Sequence, residues 1–314
     1  MSGWWRIGGI TVLASISTVV HATPLLIIAL LKALLPVPAW RRACNGLLTG
    51  IAESWIGFNS WMIRHFTDTR ILVRGDGDLH RAGHYLVIAN HQSWVDILVL
   101  QYAFNRRIPL LRFFLKRQLF WIPVLGLAWW ALDFPFMGRY SRRDIARNPE
   151  LGRRDMDATR RACDKFRQLP VSVMNFVEGT RFTAEKHSRQ GSPYRHLLKP
   201  KSGGIAFVID AMGDGLQAML DITIAYPAGP PGMRQLLLNQ VPQVQVHVQR
   251  RPVPRDLVPE NWQHDPAARA RFQQWLNGIW QEKDQTLSDL LDEAGTPPDG
   301  GPCVVIDRDE AASG

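Results

Sequence analysis

Two short apolar runs, each ending in a polar turn, constrain this chain more than any other feature. The first is Tyr85-Leu86-Val87-Ile88-Ala89, followed by Asn90-His91-Gln92-Ser93-Trp94-Val95-Asp96 and the periodic stretch Asp96 to Gln101. Such a pattern reads as strand, tight turn and helix. The second, Val171-Ser172-Val173-Met174-Asn175-Phe176-Val177, runs directly into Glu178-Gly179-Thr180-Arg181. Two such strands set their turns along the carboxyl edge of one sheet, where open α/β folds place their sites.

The first turn carries a histidine and, five residues on, a carboxylate. A carboxylate that accepts a hydrogen bond from one imidazole nitrogen fixes the tautomer and leaves the other nitrogen free to take a proton. A histidine held that way deprotonates a hydroxyl directly, without a serine nucleophile. Ser93-x-x-Asp96 also reads as a capping-box-like helix start, and alone His-x-x-x-x-Asp is a weak signal in a chain with nine histidines. The second turn adds a different chemistry. Gly179 permits close backbone approach, Thr180 and the amides donate hydrogen bonds, and Arg181 is a forked cation suited to phosphate. Glu178 repels phosphate and is better placed to hold Arg181 or to take a hydroxyl. A plain strand-exit turn with a surface arginine is the bland alternative.

The charge balance agrees with an anionic partner. Lys plus Arg number 37 against 28 Asp plus Glu, a formal net charge of +9. Nucleic acid, phosphorylated metabolites and anionic lipid all fit that balance. Several of the twelve tryptophans stand beside apolar runs (Trp4, Trp5, Trp121, Trp129, Trp130), as in interfacial proteins. The three cysteines, Cys44, Cys163 and Cys303, are widely spaced without a Cys-x-x-Cys, which argues against a disulfide framework or a zinc site. They read as packing residues. No Gly-x-Ser-x-Gly, His-Glu-x-x-His, Gly-x-x-x-x-Gly-Lys or strand-linked Gly-x-Gly-x-x-Gly is present.

Residues 7 to 35 are strongly apolar and divided by Pro24. Each half is shorter than a helix needs to cross a bilayer core of ~30 Å, so the pair reads as one kinked span or a shallow one-leaflet hairpin. Lys32, Arg41, Arg42 and Arg64 follow it, against Arg6 alone before, which keeps the remainder cytoplasmic by the basic-side rule. For a bacterial chain that is the inner face of the inner membrane. The boundaries read as a membrane-anchoring helical segment over 1–38, an α/β domain over 39–262, a C-terminal amphipathic helix over 263–292 and a disordered tail over 293–314. Within the domain, 39–66 reads as a helix leading in, and Arg70 to Gly77 as a strand ending in a turn. The apolar block Leu119 to Met137, flanked by basic residues and broken by Pro123, Gly126, Asp133 and Pro135, reads as interfacial or acyl-contacting rather than a second span. Residues 153–169 form an Arg-rich helix, and Thr183 to Pro193 a polar loop. Gln217 to Tyr226 and Gln243 to Gln249 are further strands, the second one-faced and near a sheet edge.

A general base, a phosphate-holding turn and membrane-proximal apolar segments suit acyl transfer to the hydroxyl of a phosphorylated lipid. The blocks Asn90 to Asp96 and Phe176 to Arg181, in this order, resemble the signatures of the glycerolipid acyltransferase family, the 1-acylglycerol-3-phosphate acyltransferases. The likeness covers roughly residues 60 to 230. It includes Lys116 ahead of Pro123 and Gly126, Phe136-Met137-Gly138-Arg139, and, as in the lysocardiolipin and lysophosphatidylinositol branch, Phe182 to His187 and His196 to Pro200.

The resemblance implies an α/β fold, expected as a mixed sheet flanked by helices with a hydrophobic N-terminal membrane helix or helical hairpin. It implies His91 as general base oriented by Asp96, with Asn90 among the substrate-binding residues. The acceptor phosphate would be held by Arg181, Arg139 and Lys116, with Gly179, Thr180 and Glu178 shaping the pocket and Lys201 nearby. The donor would be an acyl thioester of coenzyme A or acyl carrier protein, and the acceptor a lysophospholipid, first lysophosphatidic acid. No cofactor, metal or acyl-enzyme is implied. Val177 departs from the proline usual before the glutamate, and the last family block is poorly matched by Lys201 to Gly204 and Asp221 to Pro227. Lysophosphatidylglycerol or lysocardiolipin is the alternative acceptor. A non-catalytic anionic-lipid or nucleic-acid binder would explain the charge but not both motifs, so membrane lipids and no nucleic acid are the expected partners.

Overall fold

The computed structural model describes residues 3–35, 37–75, 78–138, 147–166, 169–259, 262, 264–293 and 303–305. Its centre is a seven-stranded mixed sheet in the order β3-β6-β2-β7-β8-β1-β9. The strands are β1 (Arg70–Gly75), β2 (His84–Ala89), β3 (Leu111–Phe113), β6 (Val171–Phe176), β7 (Ala218–Ala225), β8 (Gln243–Arg251) and β9 (Cys303–Val305). A separate two-stranded ladder joins β4 (Leu115–Lys116) to β5 (Phe136–Met137). The two runs that opened the sequence reading are neighbours: β2 pairs with β6 in parallel, His84 opposite Val171 through Ala89 opposite Phe176. Their turns therefore leave the same edge side by side.

Both sheet faces are covered, which is why the central strands are apolar on both sides. On one face α3 (Val95–Phe104) buries Val95, Val99 and Leu100 against Val87, Leu220 and Val246. On the other lie α5 (Pro149–Phe166), α7 (Gly203–Met212) and α9 (Pro266–Asp292) over Leu86, Ile88 and Val173. The helix expected to stand apart as residues 263–292 is part of this core: Phe272, Leu276, Trp280 and Leu287 of α9 are buried in it. Lys283 of α9 is fully buried, with Nζ 2.5 Å from Asp221 Oδ1 and donating to Ile222 O at 2.6 Å.

The N-terminal segment departs from the divided reading. α1 (Gly3–Leu34) is one helix with Pro24 inside it. At 1.5 Å per residue it is about 48 Å long, enough to cross a hydrocarbon core of ~30 Å. A proline removes one backbone donor, and here the helix continues through that loss. The stretch Trp4–Leu34 has mean hydropathy 2.0 in its most apolar window. α2 (Pro38–Phe66) returns antiparallel to α1, since Trp55 Nε1 reaches Thr18, His21 Nε2 lies 3.2 Å from Ser54 Oγ, and Trp40 Nε1 reaches Leu31 O.

The block 119–137 has two faces. α4 (Leu125–Ala131) and the residues after it bury Ala128, Ala131, Leu132 and Phe134 against Leu25 and Ala29 of α1 and Leu48 and Ala52 of α2. Trp121, Ile122, Leu127 and Trp130 remain exposed.

Three local readings are corrected. Thr183 to Pro193 is not a loop throughout, because α6 (Ala184–Gln190) forms there, with Thr183 Oγ1 accepting from Lys186 N and Gly191 closing it at φ 54°. β8 is not at an edge: it lies between β7 and β1, and its polar Gln245 is buried beside Val244 and Val246. In the tail, residues 303–305 pair antiparallel with β1, while the rest of 294–314 lies outside the described residues. The short helix α8 (Met233–Leu237) completes the set.

Candidate active site

The site begins where β2 ends. Asn90 is completely buried, and its side-chain amide donates to Ile224 O and accepts from Ile224 N, tying the end of β2 to β7. Its expected place against substrate is therefore replaced by a structural one, because both amide groups are already engaged with backbone.

The next residue is held from three directions. His91 Nδ1 lies 2.8 Å from Asp96 Oδ2, which also accepts from Gln92 N at 2.7 Å and Ser93 N at 2.9 Å. The helix-start reading and the dyad reading thus describe the same carboxylate. An oxygen that accepts all three bonds requires Nδ1 to be the donor, so Nε2 carries the lone pair. The imidazole ring stacks on Phe176, centroids 3.9 Å apart and planes 13° from parallel. Phe176 is the last residue of β6, so the neighbouring strand sets the ring plane. Asp96 is fully buried, and its second oxygen accepts from Tyr226 Oη at 2.7 Å. Burial and the adjacent Asp96 hold the Tyr226 hydroxyl well above its ordinary pKa, so it stays a donor.

The second turn is sewn to the first. Phe182 N donates to His91 O at 2.7 Å, and Val177 N to Ala89 O at 3.4 Å. Glu178 is fully buried. Its two oxygens accept from His91 N and Leu198 N, each at 3.4 Å, rather than reaching Arg181 or a ligand. Burial pushes its carboxyl up to about 8, with Asp96 adding to the rise, so it is mostly neutral at pH 7. Its expected binding role becomes one of holding the two turns together.

Gly179 adopts φ +70°, and a Cβ there would stand 3.0 Å from Lys201 Nζ. Lys201, whose backbone N donates to Val177 O, thus leans its ammonium over the turn. Lys186 Nζ donates to Thr180 Oγ1 at 2.9 Å and to Arg181 O at 2.8 Å. Arg181 is exposed, with Cζ 4.8 Å from the centroid of the Trp94 ring on the first turn. Three cations, Arg181, Lys186 and Lys201, therefore gather at the turn beside His91. Lys116 stands exposed on β4, and no contact among the described residues joins it to this cluster. Arg139 lies outside the described residues. No group of three or more His, Cys, Asp or Glu side chains converges as metal ligands among the described residues.

Sequence reasoning missed Tyr226, Lys186, Trp94 and Phe176 as site members. Lys186, Trp94 and Phe176 sat inside quoted blocks with side-chain types suited to the task, so a signal existed. Tyr226 had none, being 130 residues from its partner.

A base with its orienting carboxylate, set beside a cation-bearing turn on a mixed α/β sheet, marks the acyltransferase class of fold and site. Residues 70–227 match the Acyltransferase family model, and the chain belongs to that family. Among curated relatives, lysocardiolipin acyltransferase 1 of Gallus gallus is 27% identical over 267 residues, covering 80% of this chain and 64% of that one. The 1-acyl-sn-glycerol-3-phosphate acyltransferase epsilon of Mus musculus is 26% identical over 287 residues, covering 83% and 72%. The chain thus spans roughly two thirds of the length of these relatives. In fold it is similar to the 1-acyl-sn-glycerophosphate (LPA) acyltransferase PlsC of Thermotoga maritima, with a TM-score of 0.50 at 16% identity over 90% of this chain and 98% of that one.

Proposed function

We propose that the protein is a membrane-bound O-acyltransferase that moves a fatty acyl group from an acyl thioester to the free hydroxyl of lysophosphatidic acid, giving phosphatidic acid. The observation that carries the reading is the His91–Asp96 contact of 2.8 Å beside the turn where Arg181, Lys186 and Lys201 gather. His91 Nε2 takes the hydroxyl proton as that oxygen attacks the thioester carbonyl. The C–O bond forms, the tetrahedral adduct collapses, the C–S bond breaks, and the imidazolium returns its proton to the departing thiolate. Asp96 keeps the ring in the tautomer that this requires and stabilises the imidazolium. The three cations receive the acceptor's phosphate and place its glycerol hydroxyl against Nε2. Coenzyme A or acyl carrier protein supplies the thiol, and α1 anchors the domain with this site on the cytoplasmic side.

A second acceptor, lysocardiolipin, is favoured by the name of the Gallus gallus relative, and lysophosphatidylglycerol fits the same phosphate chemistry. The test is release of free thiol from a long-chain acyl-coenzyme A by the full chain in detergent, with and without lysophosphatidic acid, beside His91→Ala. Acceptor-dependent release lost in the variant supports the proposal. Release that persists in His91→Ala overturns the mechanism, and faster release with lysocardiolipin or lysophosphatidylglycerol moves the assignment to the second acceptor.

A further inference from the structure

A cavity of about 670 Å³ lies away from His91, between the turn of the N-terminal hairpin, α4 and the end of α5. It is lined by Lys32, Arg41, Arg42, Arg112 and Lys165, with Asp133 the one carboxylate among its lining residues. Arg112 and Phe113 are successive residues of β3 and so face opposite sides of the sheet. Phe113 approaches Phe176, the ring under His91, whereas the Arg112 guanidinium stands 5.2 Å from the Phe166 centroid. The cavity is thus separated from the catalytic turns by the edge strand itself.

Three features of this cavity leave its positive charge without a full counterion. Arg112 is only 6% exposed, and its Nε bond goes to a neutral carbonyl, Leu132 O at 3.1 Å. Burial lowers its pKa to about 10, opposed by Asp133, so it still carries its charge at neutral pH. Asp133 is already shared between Lys32 at 3.1 Å and Lys165 at 2.5 Å. Finally, α2 starts at this cavity with no side-chain cap, no acidic residue in its first turn, and Arg41 and Arg42 where the helix dipole disfavours cations. Converging arginine and lysine cations are what a phosphate binds. The rim identifies the carrier of that phosphate. Leu34, Leu35, Val37 and Trp130 are exposed around the opening, next to the long apolar α1.

We infer that this cavity binds the phosphate headgroup of an anionic membrane phospholipid, with acyl chains against the apolar rim, at a site distinct from the one at His91. The site seats the turn of the hairpin at the headgroup level of an anionic bilayer. It does not depend on which lysophospholipid the enzyme acylates.

The full chain in neutral detergent is titrated with phosphatidylglycerol, and bound lipid is counted by native mass spectrometry. Phosphatidylcholine, inorganic phosphate and glycerol 3-phosphate are titrated in parallel. Wild type should saturate with phosphatidylglycerol, and R41E/R42E should weaken that binding by about tenfold or more. The matched charge reversal R269E/R271E on α9 should change it by less than about twofold. Both arginine pairs are exposed, so these variants fold, and thiol release by R41E/R42E with a soluble short-chain acceptor should match wild type. Equal weakening by the two pairs would reduce the effect to overall charge and overturn the site. Phosphatidylcholine binding as tightly would remove the anionic requirement. Displacement of the lipid by inorganic phosphate or glycerol 3-phosphate at equal concentration would make this a soluble-phosphate site instead.

Discussion

Tyr226 donates its hydroxyl to Asp96 Oδ1 at 2.7 Å, while His91 Nδ1 lies 2.8 Å from Oδ2 of the same carboxylate. The carboxylate that orients the base is therefore clamped from the far end of β7, and it has no freedom to rotate away from the imidazole. The dyad extends into a chain of three side chains drawn from three segments.

Removing that clamp tests its worth. Tyr226→Phe deletes a buried hydrogen bond to a carboxylate and should cost about 1.5–3 kcal/mol of stability. Turnover should fall by roughly tenfold with little change in acceptor KM, because Asp96 loses its fixed orientation rather than any contact with lipid. Urea midpoints and steady-state thiol release report the two effects separately, and unchanged kcat would show that Gln92 N and Ser93 N suffice.

Asp96→Asn keeps the shape but presents an amide N–H₂ or a neutral oxygen to Nδ1. If the oxygen stays with the two backbone amides it also keeps Nδ1–H, the N–H₂ turns to Tyr226 Oη, and the ring loses the negative charge that stabilises the imidazolium. Turnover should drop by about 10²–10⁴ while the fold persists. Circular dichroism and the ring ¹⁵N shifts of His91 distinguish this from unfolding.

Gly179→Ala places a side chain at φ +70°, at a cost of about 1–2 kcal/mol, and its Cβ would stand 3.0 Å from the Lys201 ammonium, which must shift. Acceptor KM should rise more than kcat falls. Lys201→Met should raise KM in the same direction without the loss of stability, and a Gly179→Ala variant with normal KM would place the phosphate elsewhere.

Glu178 supplies a pH dependence of defined sign. Its folded-state carboxyl is raised from 4.5 to about 8, so between those values the folded chain holds a proton that the unfolded chain has released. Stability from this group is therefore present below about pH 4.5 and lost as pH rises through 8. In Glu178→Gln that loss is absent. The difference in unfolding free energy between variant and wild type, read from urea titrations, should grow in favour of the variant from pH 5 to 9, by an amount on the order of a few kcal/mol at most. A difference that is flat with pH would mean the carboxyl titrates normally.

Lys283→Met tests the seating of α9. It leaves Asp221, buried at 3% exposure, with Arg251 alone, and should destabilise the domain by about 3–5 kcal/mol. Residual activity per folded molecule should remain close to wild type, which thermal melts run beside the assay can resolve.

The strands β2 and β6, their polar turns, the histidine with its carboxylate and the glycine-arginine turn were all legible in the residue order. Each is a local pattern, set by alternation, turn chemistry and contiguous spacing, and the resemblance of the two blocks carried their pairing. The sequence also placed the long apolar N-terminus, although Pro24 suggested a break that packing with α2 and a single lost donor do not enforce. What only the tertiary structure decided depends on contacts between distant segments. Asn90 and Glu178 spend their polar groups on backbone from β7 and from residue 198, which no spacing reveals. Tyr226 meets Asp96, Lys186 folds back on Thr180 because Thr183 caps a helix there, and Lys283 reaches Asp221 across the sheet. Local periodicity determines the elements, but side-chain partners 60 to 130 residues apart are set by strand order and by the cost of leaving a buried polar group unpaired.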